Sequence, residues 1–358
     1  EINPLFSDSV YIDRLSRIPA IMEMPYNDII RKFIDMYAGR LRNQVSFMLS
    51  ACNFYMPIFE EALDAYGLPL ELRYLPIIES ALNPSAVSRA GASGLWQFMI
   101  GTGKIYGLES NSLVDERRDP IKATWAAARY LKEMYDIYGD WNLVIAAYNC
   151  GPGTINKAIR RANGETDYWK IYNYLPKETR GYVPAFIAAN YVMTYYCDHN
   201  ICPMETNIPA STDTVQVNKN LHFEQIADLC NVPLDQIKSL NPQYKKQMIP
   251  GDSKPYTLRL PIDAISTFID KQDTIYAHRA DELFRNRKTV AVKEITPSTR
   301  KTTTAVAGKG KLTYYTIKSG DTLSTIAGKY GVTIKDIQRW NGMSNTKIAA
   351  GKRLKIYK

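Results

Sequence analysis

A pattern of apolar and turn-forming residues occurs twice in this chain at a constant offset. Ile226 in the first copy corresponds to Ile326 in the second, and Ile237 corresponds to Ile337, with no gap needed between them. Each copy has the residue order of a strand, two short helices and a closing strand. Such a unit is small, and 358 residues exceed what one hydrophobic core usually supports. The chain is therefore expected to contain several domains.

The second copy, residues 312–358, carries clear helix boundaries. Asp321 or Thr322 can cap a first helix, Gly331 can end it, and a second helix can start from Thr333. Strands flank the two helices. The segment resembles a LysM module, which implies a βααβ fold that binds chains containing N-acetylglucosamine. The resemblance implies glycan contacts by Gly320, Asp321, Thr322, Leu323 and Asn341.

The first copy, residues 211–262, resembles a degenerate LysM module. Its outer strands are predicted at 214–217 and 258–260. His222 stands near the position where the second copy has a glycine–aspartate turn, and that turn is missing from the first copy. The sequence leaves two roles open for this module, which either still binds glycan or only keeps the fold as a spacer.

A glutamate in an apolar run marks the candidate active site. The carboxyl group of Glu79 is expected to lie against a hydrophobic wall, because its neighbours in the sequence include Leu75, Ile77, Ile78, Ala81 and Leu82. Desolvation disfavours the charged form of a carboxyl group and raises its pKa. A raised pKa suits a general acid that works near neutral pH. For such a residue taken alone, a surface position on a helix is the alternative.

Three further motifs follow Glu79 along the chain, at 94–97, 147–153 and 178–183. Together they resemble the lysozyme-like lytic transglycosylases, bacterial enzymes that cut the glycan strands of peptidoglycan. The resemblance covers residues 50–195 and implies a mainly α, goose-lysozyme-like fold in which Glu79 is catalytic. It also implies that the cleft is lined by Ser88, Gln97, Met99, Tyr148, Asn149, Glu178 and Tyr182.

The chain departs from the family pattern at two positions. Trp96 stands where methionine is usual, and Cys150 stands where alanine is common. The resemblance implies a mechanism with one carboxyl group, whereas ordinary glycosidases use two. In that mechanism Glu79 protonates the glycosidic oxygen between MurNAc and GlcNAc and then removes the proton of the C6 hydroxyl. The products are 1,6-anhydro-muramoyl ends, formed without water.

Two other functions remain as alternatives. A lysozyme-type hydrolase needs a carboxylate that activates water, and Asp115, Glu116 and Asp119 are candidates. A mixed-charge segment of this kind is more often a solvated loop with internal ion pairs. A cell-wall-binding protein without activity would require Glu79 to be exposed or blocked. The intact set of motifs favours the lytic transglycosylase.

The predicted fold class is a multi-domain chain, with a mainly α lysozyme-like catalytic domain followed by small α/β (βααβ) LysM modules. Apolar residues at helical spacing predict helices within 26–49, 121–138, 141–148 and 263–285. The predicted order is an N-terminal helical extension (1–45), the catalytic domain (46–205), the degenerate LysM-like module (211–262), a helical connector (263–285), a basic linker (286–311) and the LysM module (312–358).

The formal net charge of +9 raises the question of nucleic-acid binding. Much of the positive charge lies at 285–288 and in the Lys-, Thr- and Gly-rich stretch 293–311, which is typical of a mobile linker. No nucleic-acid recognition motif accompanies the charge, so no nucleic-acid partner is expected. The expected partner is the glycan strand of peptidoglycan, and the protein is expected to be a monomer.

The five cysteines lack the spacing of metal ligands, so neither a metal nor a cofactor is expected. Cys197 and Cys202 could close a short loop or remain reduced, and the sequence leaves both states open. Cys150 lies beside the candidate cleft, but no histidine stands in a recognisable partner motif for a thiol nucleophile.

Peptidoglycan is reached only after export, so the expected location is the periplasm. The chain starts at Glu1 rather than at methionine, and we expect an export signal ahead of this residue. Attachment to the outer membrane by a lipid anchor outside the chain is part of the same expectation.

Overall fold

The computed structural model describes residues 3–206, 208–284, 312–318, 321–343, 346 and 348–357. The chain divides into two units, Glu1–Ile295 and Thr296–Lys358. The basic linker predicted at 286–311 lies outside the described residues. No helix in the described part of the chain has both the length and the apolar character needed to cross a bilayer.

The first unit begins with packed helices. They are α1 (Asp8–Ser16), α2 (Asp28–Ala38), α3 (Arg42–Ala65), α4 (Leu75–Ser80), α5 (Ile100–Ile105), α6 (Pro120–Tyr138), α7 (Trp141–Cys150), α8 (Pro152–Arg161), α9 (Tyr168–Ile171), α10 (Lys177–Arg180) and α11 (Tyr182–Tyr195). Short 3-10 turns lie at Leu70–Tyr74, Glu116–Arg118, Tyr172–Tyr174 and Cys197–His199. The helices predicted at 121–138 and 141–148 are confirmed as α6 and α7.

Local sequence sets both ends of α6. The carboxylate of Asp119 accepts hydrogen bonds from the backbone N–H groups of Ile121 and Lys122, at 3.0 and 2.9 Å. Pro120 occupies the first helical position, where its missing N–H is no loss. Gly139 ends the helix with a φ of 62°, a left-handed conformation that glycine adopts readily.

The helical stretch predicted at 26–49 is broken into α2 and α3. The side chain of Asn27 caps α2, and the chain turns at Gly39 before α3 begins. Helix α3 crosses the domain boundary predicted after residue 45. Tyr11 of α1 and Ile34 of α2 are buried in the same core as α3. The N-terminal extension is therefore continuous with the catalytic domain.

Helix α11 lies at the centre of the catalytic domain. Every residue from Tyr182 to Met193 is buried, and a helix that is apolar on all sides is typical of the middle of a core. It packs against α2, α4 and α7. This packing places Tyr182, the first residue of α11, beside the end of α4.

The LysM-like module forms the rest of the first unit. Its elements are β1 (Thr212–Val217), β2 (Asn220–His222), α12 (Phe223–Cys230), α13 (Leu234–Leu240), β3 (Met248–Pro250), β4 (Tyr256–Pro261), α14 (Ile262–Asp270), α15 (Gln272–Ala277) and α16 (Ala280–Leu283), with a 3-10 turn at Lys245–Gln247. Strand β1 pairs antiparallel with β4, and β2 with β3. Phe268 of α14 and Ile275 of α15 are buried in the module's core. The helical connector predicted at 263–285 is therefore packed onto the module.

The second unit has the predicted βααβ order. It contains β5 (Leu312–Thr316), α17 (Leu323–Tyr330), α18 (Ile334–Asn341) and β6 (Arg353–Tyr357), and β5 pairs antiparallel with β6. Thr322 rather than Asp321 caps α17, Gly331 ends it with a φ of 66°, and Thr333 caps α18. The predicted capping residues are confirmed for both helices, and of the two candidates for the first helix it is Thr322 that caps.

One side-chain contact explains why both modules carry asparagine at the same place. The Asn241 amide donates to the carbonyl of Arg259 at 2.8 Å and accepts from its N–H at 2.8 Å. The Asn341 amide makes the same pair of bonds with Lys355, at 2.8 and 2.7 Å. Each asparagine also donates to a carbonyl one turn earlier in its own helix. The residue thus fastens the second helix to the closing strand.

Candidate active site

Glu79 lies in the last turn of α4, where the backbone is strained. Ala81 ends the helix with a φ of 51°, and Leu82 follows with a φ of 58°. Gln97, on a neighbouring loop, has a φ of 48°. Non-glycine residues adopt this left-handed region rarely and at a cost of about 1–3 kcal/mol each, and such strain is often concentrated at functional sites. The three strained residues therefore lie near the carboxyl group of Glu79.

Burial controls the ionisation of Glu79. Desolvation raises the pKa of its carboxyl group from 4.5 to about 7. The hydroxyl of Tyr182 donates a hydrogen bond to Oε1 and opposes this rise, whereas the negative charge of Glu178 adds to it. The raised pKa predicted from the apolar neighbours in the sequence is confirmed. The carboxyl group can therefore hold its proton near neutral pH and release it at a small free-energy cost.

A cavity of about 620 Å³ contains Glu79 in its wall. Of the residues predicted to bind substrate, it brings together Ser88, Gln97, Glu178 and Tyr182. The other predicted residues, Met99, Tyr148 and Asn149, do not line this cavity.

The loop of residues 86–99, here called the active-site loop, forms one side of the cavity. Its Ser88 hydroxyl accepts from the Ala92 N–H at 3.0 Å, and the Gln97 amide donates to the carbonyls of Ala86 and Gly94 at 3.2 and 2.8 Å. These bonds fix the shape of the loop. The hydroxyl hydrogen of Ser88 and the amide oxygen of Gln97 are the groups that remain to meet a ligand.

The residues at the end of α7 act on the cleft indirectly. The Tyr148 hydroxyl donates to the carbonyl of Trp96 in the active-site loop at 2.7 Å. Burial raises the pKa of Tyr148, and the nearby charge of Glu79 raises it further. The amide oxygen of Asn149 accepts from the Thr179 hydroxyl at 2.9 Å. Both side chains hold the walls of the site together.

Glu178 does not form an ion pair with the nearby Arg180. The guanidinium of Arg180 donates instead to the backbone carbonyls of Leu175 and Asn173, at 3.0 and 2.7 Å. Glu178 thus contributes a carboxylate to the cavity, close enough to Glu79 to raise its pKa.

One wall of the cavity was not predicted from the sequence. This wall is lined by Phe33 and Tyr37 of α2 and by Gln44 and Met48 of α3. Their apolar and aromatic spacing indicated a packed helix, which is true of the inward face, but it did not indicate that the same helices border the cleft. Gly181 lets Phe33 approach closely, since a Cβ there would lie 3.0 Å from the phenyl ring.

The carboxylates considered for a hydrolase do not line the cavity. Asp115 is 1% exposed and pairs with Arg117, while Glu116 is 5% exposed and pairs with Lys122. Asp119 caps α6. The prediction that this segment is solvated is wrong, and the prediction of internal ion pairs is confirmed.

The five cysteines, all within the described residues, are free, and Cys197 and Cys202 are exposed and unbridged. Burial raises the pKa of the Cys150 thiol, which makes the thiolate form less available. No three His, Cys, Asp or Glu side chains in the described ranges are grouped as metal ligands would be.

In the second unit, the predicted glycan-binding residues have mixed roles. Asp321 is partly exposed and accepts from the Lys318 N–H and the Tyr315 hydroxyl, each at 2.8 Å, which lowers its pKa. Leu323 is 2% exposed and its side chain packs in the core of the module, and its role as a glycan contact stays a prediction. The amide of Asn341 holds β6, and its role as a glycan contact likewise stays a prediction. Gly320 lies outside the described residues.

The first module differs from the second at the turn. Leu221, at the position that corresponds to Asp321, is fully buried in strand β2. His222 takes the place of Thr322 and caps α12 through its ring nitrogen, which accepts from the Glu224 N–H at 3.3 Å. The polar turn of the second module is therefore replaced by a strand.

Two substitutions are expected to move the pH dependence in opposite directions. A general acid must be protonated, so activity is expected below about pH 7 and should fall as pH rises through the pKa of Glu79. Tyr182→Phe removes a hydrogen bond that favours the carboxylate of Glu79, which should raise its pKa. The alkaline limb of the pH–rate profile should then move to higher pH. Glu178→Gln removes a neighbouring negative charge, so the limb should move to lower pH. Rate profiles of kcat/KM against pH measure both shifts, and equal or same-sign shifts would contradict this account of the site.

Three family models match the chain in the order seen in the structure. Residues 56–171 match the transglycosylase SLT domain, 211–277 match the LysM-like domain of the lytic transglycosylase MltD, and 315–356 match the LysM domain. The second match includes all of α14 and α15, in agreement with their packing on the module.

The chain is 32% identical over 341 residues to the membrane-bound lytic murein transglycosylase D of Escherichia coli (strain K12). This similarity covers 94% of the chain and 70% of the relative. The chain belongs to the lytic murein transglycosylase D family. It is also 33% identical over 124 residues to the soluble lytic murein transglycosylase of the same strain, across 33% of the chain and 19% of that relative.

Among solved structures, the 70 kDa soluble lytic transglycosylase of Escherichia coli is 29% identical, with a TM-score of 0.35. The similarity covers 40% of this chain and 24% of that one. Membership of the transglycosylase D family agrees with the predicted fold class, a mainly α lysozyme-like domain followed by LysM modules.

Proposed function

We propose that the protein is a peptidoglycan lytic transglycosylase in which Glu79 carries out both proton transfers. The observation that carries this proposal is a carboxyl group with a pKa near 7, held by Tyr182 in the wall of a cavity. Such a group can act as an acid in one step and as a base in the next with little free-energy loss at either.

The first step breaks the β-1,4 bond between MurNAc and GlcNAc. Protonated Glu79 gives its proton to the glycosidic oxygen, which leaves as the 4-hydroxyl of GlcNAc. The positive charge that develops at the anomeric carbon of MurNAc is stabilised by the carbonyl oxygen of the substrate's own N-acetyl group. This substrate group takes the part of the second carboxylate of ordinary glycosidases.

The second step closes a ring and restores the enzyme. Ionised Glu79 removes the proton from the C6 hydroxyl of MurNAc, and the freed oxygen forms a bond to the anomeric carbon. The product is a 1,6-anhydro-muramoyl end, no water is consumed, and Glu79 is protonated again. Holding the C6 hydroxyl near the anomeric carbon favours this intramolecular route over attack by water.

The remaining predicted residues have supporting roles in this proposal. Ser88 and Gln97 offer a hydroxyl and an amide oxygen to the hydroxyl and N-acetyl groups of the sugars. Tyr148 and Asn149 keep the loop and α10 in position. In the second unit, the candidates for glycan contacts of the LysM module stay Gly320, Asp321, Thr322, Leu323 and Asn341.

The proposed location follows from the substrate. Peptidoglycan lies outside the cytoplasmic membrane, so the enzyme is proposed to act in the periplasm. The Escherichia coli relative is a membrane-bound enzyme, which supports the further proposal that a lipid outside this chain attaches the protein to the outer membrane. A monomeric state remains a prediction.

The products of digestion test the proposed function. Purified peptidoglycan is incubated with the protein, and the released fragments are analysed by mass spectrometry. We expect fragments lighter by one water than those that lysozyme releases from the same material. Fragments of equal mass would indicate a hydrolase, and binding without fragments would indicate a wall-binding protein.

A hydrolase is the second candidate, because Glu178 places another carboxylate in the cavity. If Glu178 activates water, Glu178→Gln should abolish activity as completely as Glu79→Gln. The transglycosylase proposal expects Glu178→Gln to remain active with its alkaline limb moved to lower pH. Comparing the two variants on one substrate separates these candidates.

A further inference from the structure

The LysM-like module is joined to the catalytic domain through residues 109–119, here called the docking loop. Leu113 and Val114 of this loop are 4% and 0% exposed, and both are buried in the core of the module rather than in that of the catalytic domain. The docking loop thus shares the hydrophobic core of a domain that begins about a hundred residues later in the chain.

Backbone hydrogen bonds fix the register of this contact. The N–H of Asp115 donates to the carbonyl of Gln243 at 2.9 Å, and the N–H of Lys245 donates to the carbonyl of Leu113 at 2.6 Å. Val114 and Tyr244 form the antiparallel bridge between these two bonds. A strand-like pairing of this kind allows little sliding, because a one-residue slip would turn Val114 out of the core.

Side chains of the module add polar contacts on both sides of the pairing. The ammonium group of Lys245 donates to the carbonyl of Asn111 at 2.9 Å and lies 3.8 Å from a carboxylate oxygen of Asp115. The hydroxyl of Tyr256 donates to the carboxylate of Glu109 at 3.0 Å, and Lys254 pairs with the same carboxylate at 2.6 Å.

The docking loop in turn holds the active-site loop. Arg117 is 5% exposed and donates two hydrogen bonds to the carboxylate of Asp115, at 2.9 and 2.8 Å. The same guanidinium donates to the carbonyls of Gly91 and Phe98 at 2.8 and 2.9 Å. Buried ion pairs add little net stability, but their geometry is strict, since a misplaced partner leaves a charge unpaired.

The active-site loop touches the elements that carry the catalytic carboxyl group. Ser80, next to Glu79, donates its hydroxyl to the carbonyl of Leu95 at 2.9 Å. Gln97 lies in the same loop and lines the cavity. Module, docking loop, active-site loop and the end of α4 are thus joined by consecutive direct contacts.

We propose that the LysM-like module is a positioning element for the active-site loop, acting through Lys245, Asp115 and Arg117. This inference rests on the proposed function, and it gives the degenerate module a role other than glycan binding or spacing. Removing a module contact should let Asp115 and Arg117 shift. The active-site loop would then sample positions in which Gln97 no longer matches the transition state and the contact between Ser80 and Leu95 is disturbed.

The test uses the full chain with Lys245→Ala and a matched control, Lys238→Ala. Lys238 lies in the same module and pairs with Asp235 of its own helix, away from the docking loop. With soluble glycan strands as substrate, Lys245→Ala should lower kcat by about threefold to tenfold and leave KM within about twofold. Lys238→Ala should match the unmodified protein. A rise in KM with unchanged kcat would overturn the proposal, because it would indicate a glycan contact.

Hydrogen exchange provides a readout that does not depend on the reaction. Lys245→Ala should increase deuterium uptake in peptides from residues 86–99, and Lys238→Ala should not. Unchanged uptake with an active protein would overturn the positioning role alone. Absence of anhydro products from the unmodified protein would overturn the proposed function instead, and the two failures are therefore distinct.

A double variant tests whether Lys245 and Arg117 act together. Arg117→Lys keeps the charge but loses the guanidinium, whose Nε and Nη2 hold the Asp115 carboxylate while Nη1 reaches the carbonyls of Gly91 and Phe98. If Lys245 acts through Arg117, the double variant should have nearly the kcat of Arg117→Lys alone, whereas independent roles would multiply the two losses. If Lys245→Ala folds poorly, Tyr256→Phe serves as a milder second variant, because it removes only the hydroxyl that contacts Glu109. It should lower kcat in the same way but by a smaller factor.

Discussion

Glu79→Gln is expected to lower the rate of glycan cleavage by about a thousandfold or more. The substitution keeps the shape of the side chain but removes the transferable proton, and a positioned acid or base contributes about 10²–10⁴-fold. Because the same group serves in both steps, both are affected. Product release from purified peptidoglycan, followed by mass spectrometry, measures the loss, and activity within about tenfold of the unmodified protein would contradict the assignment.

The stability of Glu79→Gln separates lost chemistry from lost folding. The pKa of Glu79 is raised in the folded state from 4.5 to about 7, so the folded protein binds more protons than the unfolded chain between these values. Stability therefore decreases as pH rises through this window, by up to about 3 kcal/mol. Glutamine does not titrate, and the variant should be at least as stable as the unmodified protein at pH 8, as measured by calorimetry.

Gly94→Ala is expected to disrupt the active-site loop. Gly94 has a φ of 89°, and a Cβ there would lie 1.7 Å from the carbonyl oxygen of Arg117, so the backbone must move. We expect a loss of about 3–5 kcal/mol in the free energy of unfolding of the catalytic domain, together with a large loss of activity. Thermal unfolding and product release measure the two effects.

Gly91→Ala is the matched control for this variant. Gly91 lies in the same loop with a φ of 88°, but nothing lies within 4 Å of the position of its Cβ. It should show only the cost of an unfavourable backbone angle, about 1–2 kcal/mol. Equal losses for the two variants would show that the contact between Gly94 and Arg117 has no special importance.

Local signals in the sequence predicted the modules well. The helices of the second unit are capped at their start by Thr322 and Thr333, and Gly331 caps the end of α17, as these residue types indicated. The repeated asparagine was visible as a match between Asn241 and Asn341, but its role was not. An amide that fastens a helix to a strand depends on pairing between distant segments, which a local pattern does not contain.

The active site was predictable only where its properties depend on residues that are neighbours in the sequence. The apolar neighbours of Glu79 indicated its raised pKa, because burial follows from adjacent residues. The same reasoning failed for Asp115 and Glu116, which were expected in solvent. They are buried because Leu113 and Val114 enter the core of another module, and charge pattern alone gives no sign of such a contact.

The state of the product ends tests the central claim most directly. Fragments from digestion with the unmodified protein are treated with borohydride, which reduces free sugar ends but leaves 1,6-anhydro ends unchanged, and are then weighed by mass spectrometry. If Glu79 directs the C6 hydroxyl onto the anomeric carbon, the new muramoyl ends should resist reduction and keep their mass. New ends that gain hydrogen would contradict the account, because they would show that water rather than the substrate's own hydroxyl had attacked.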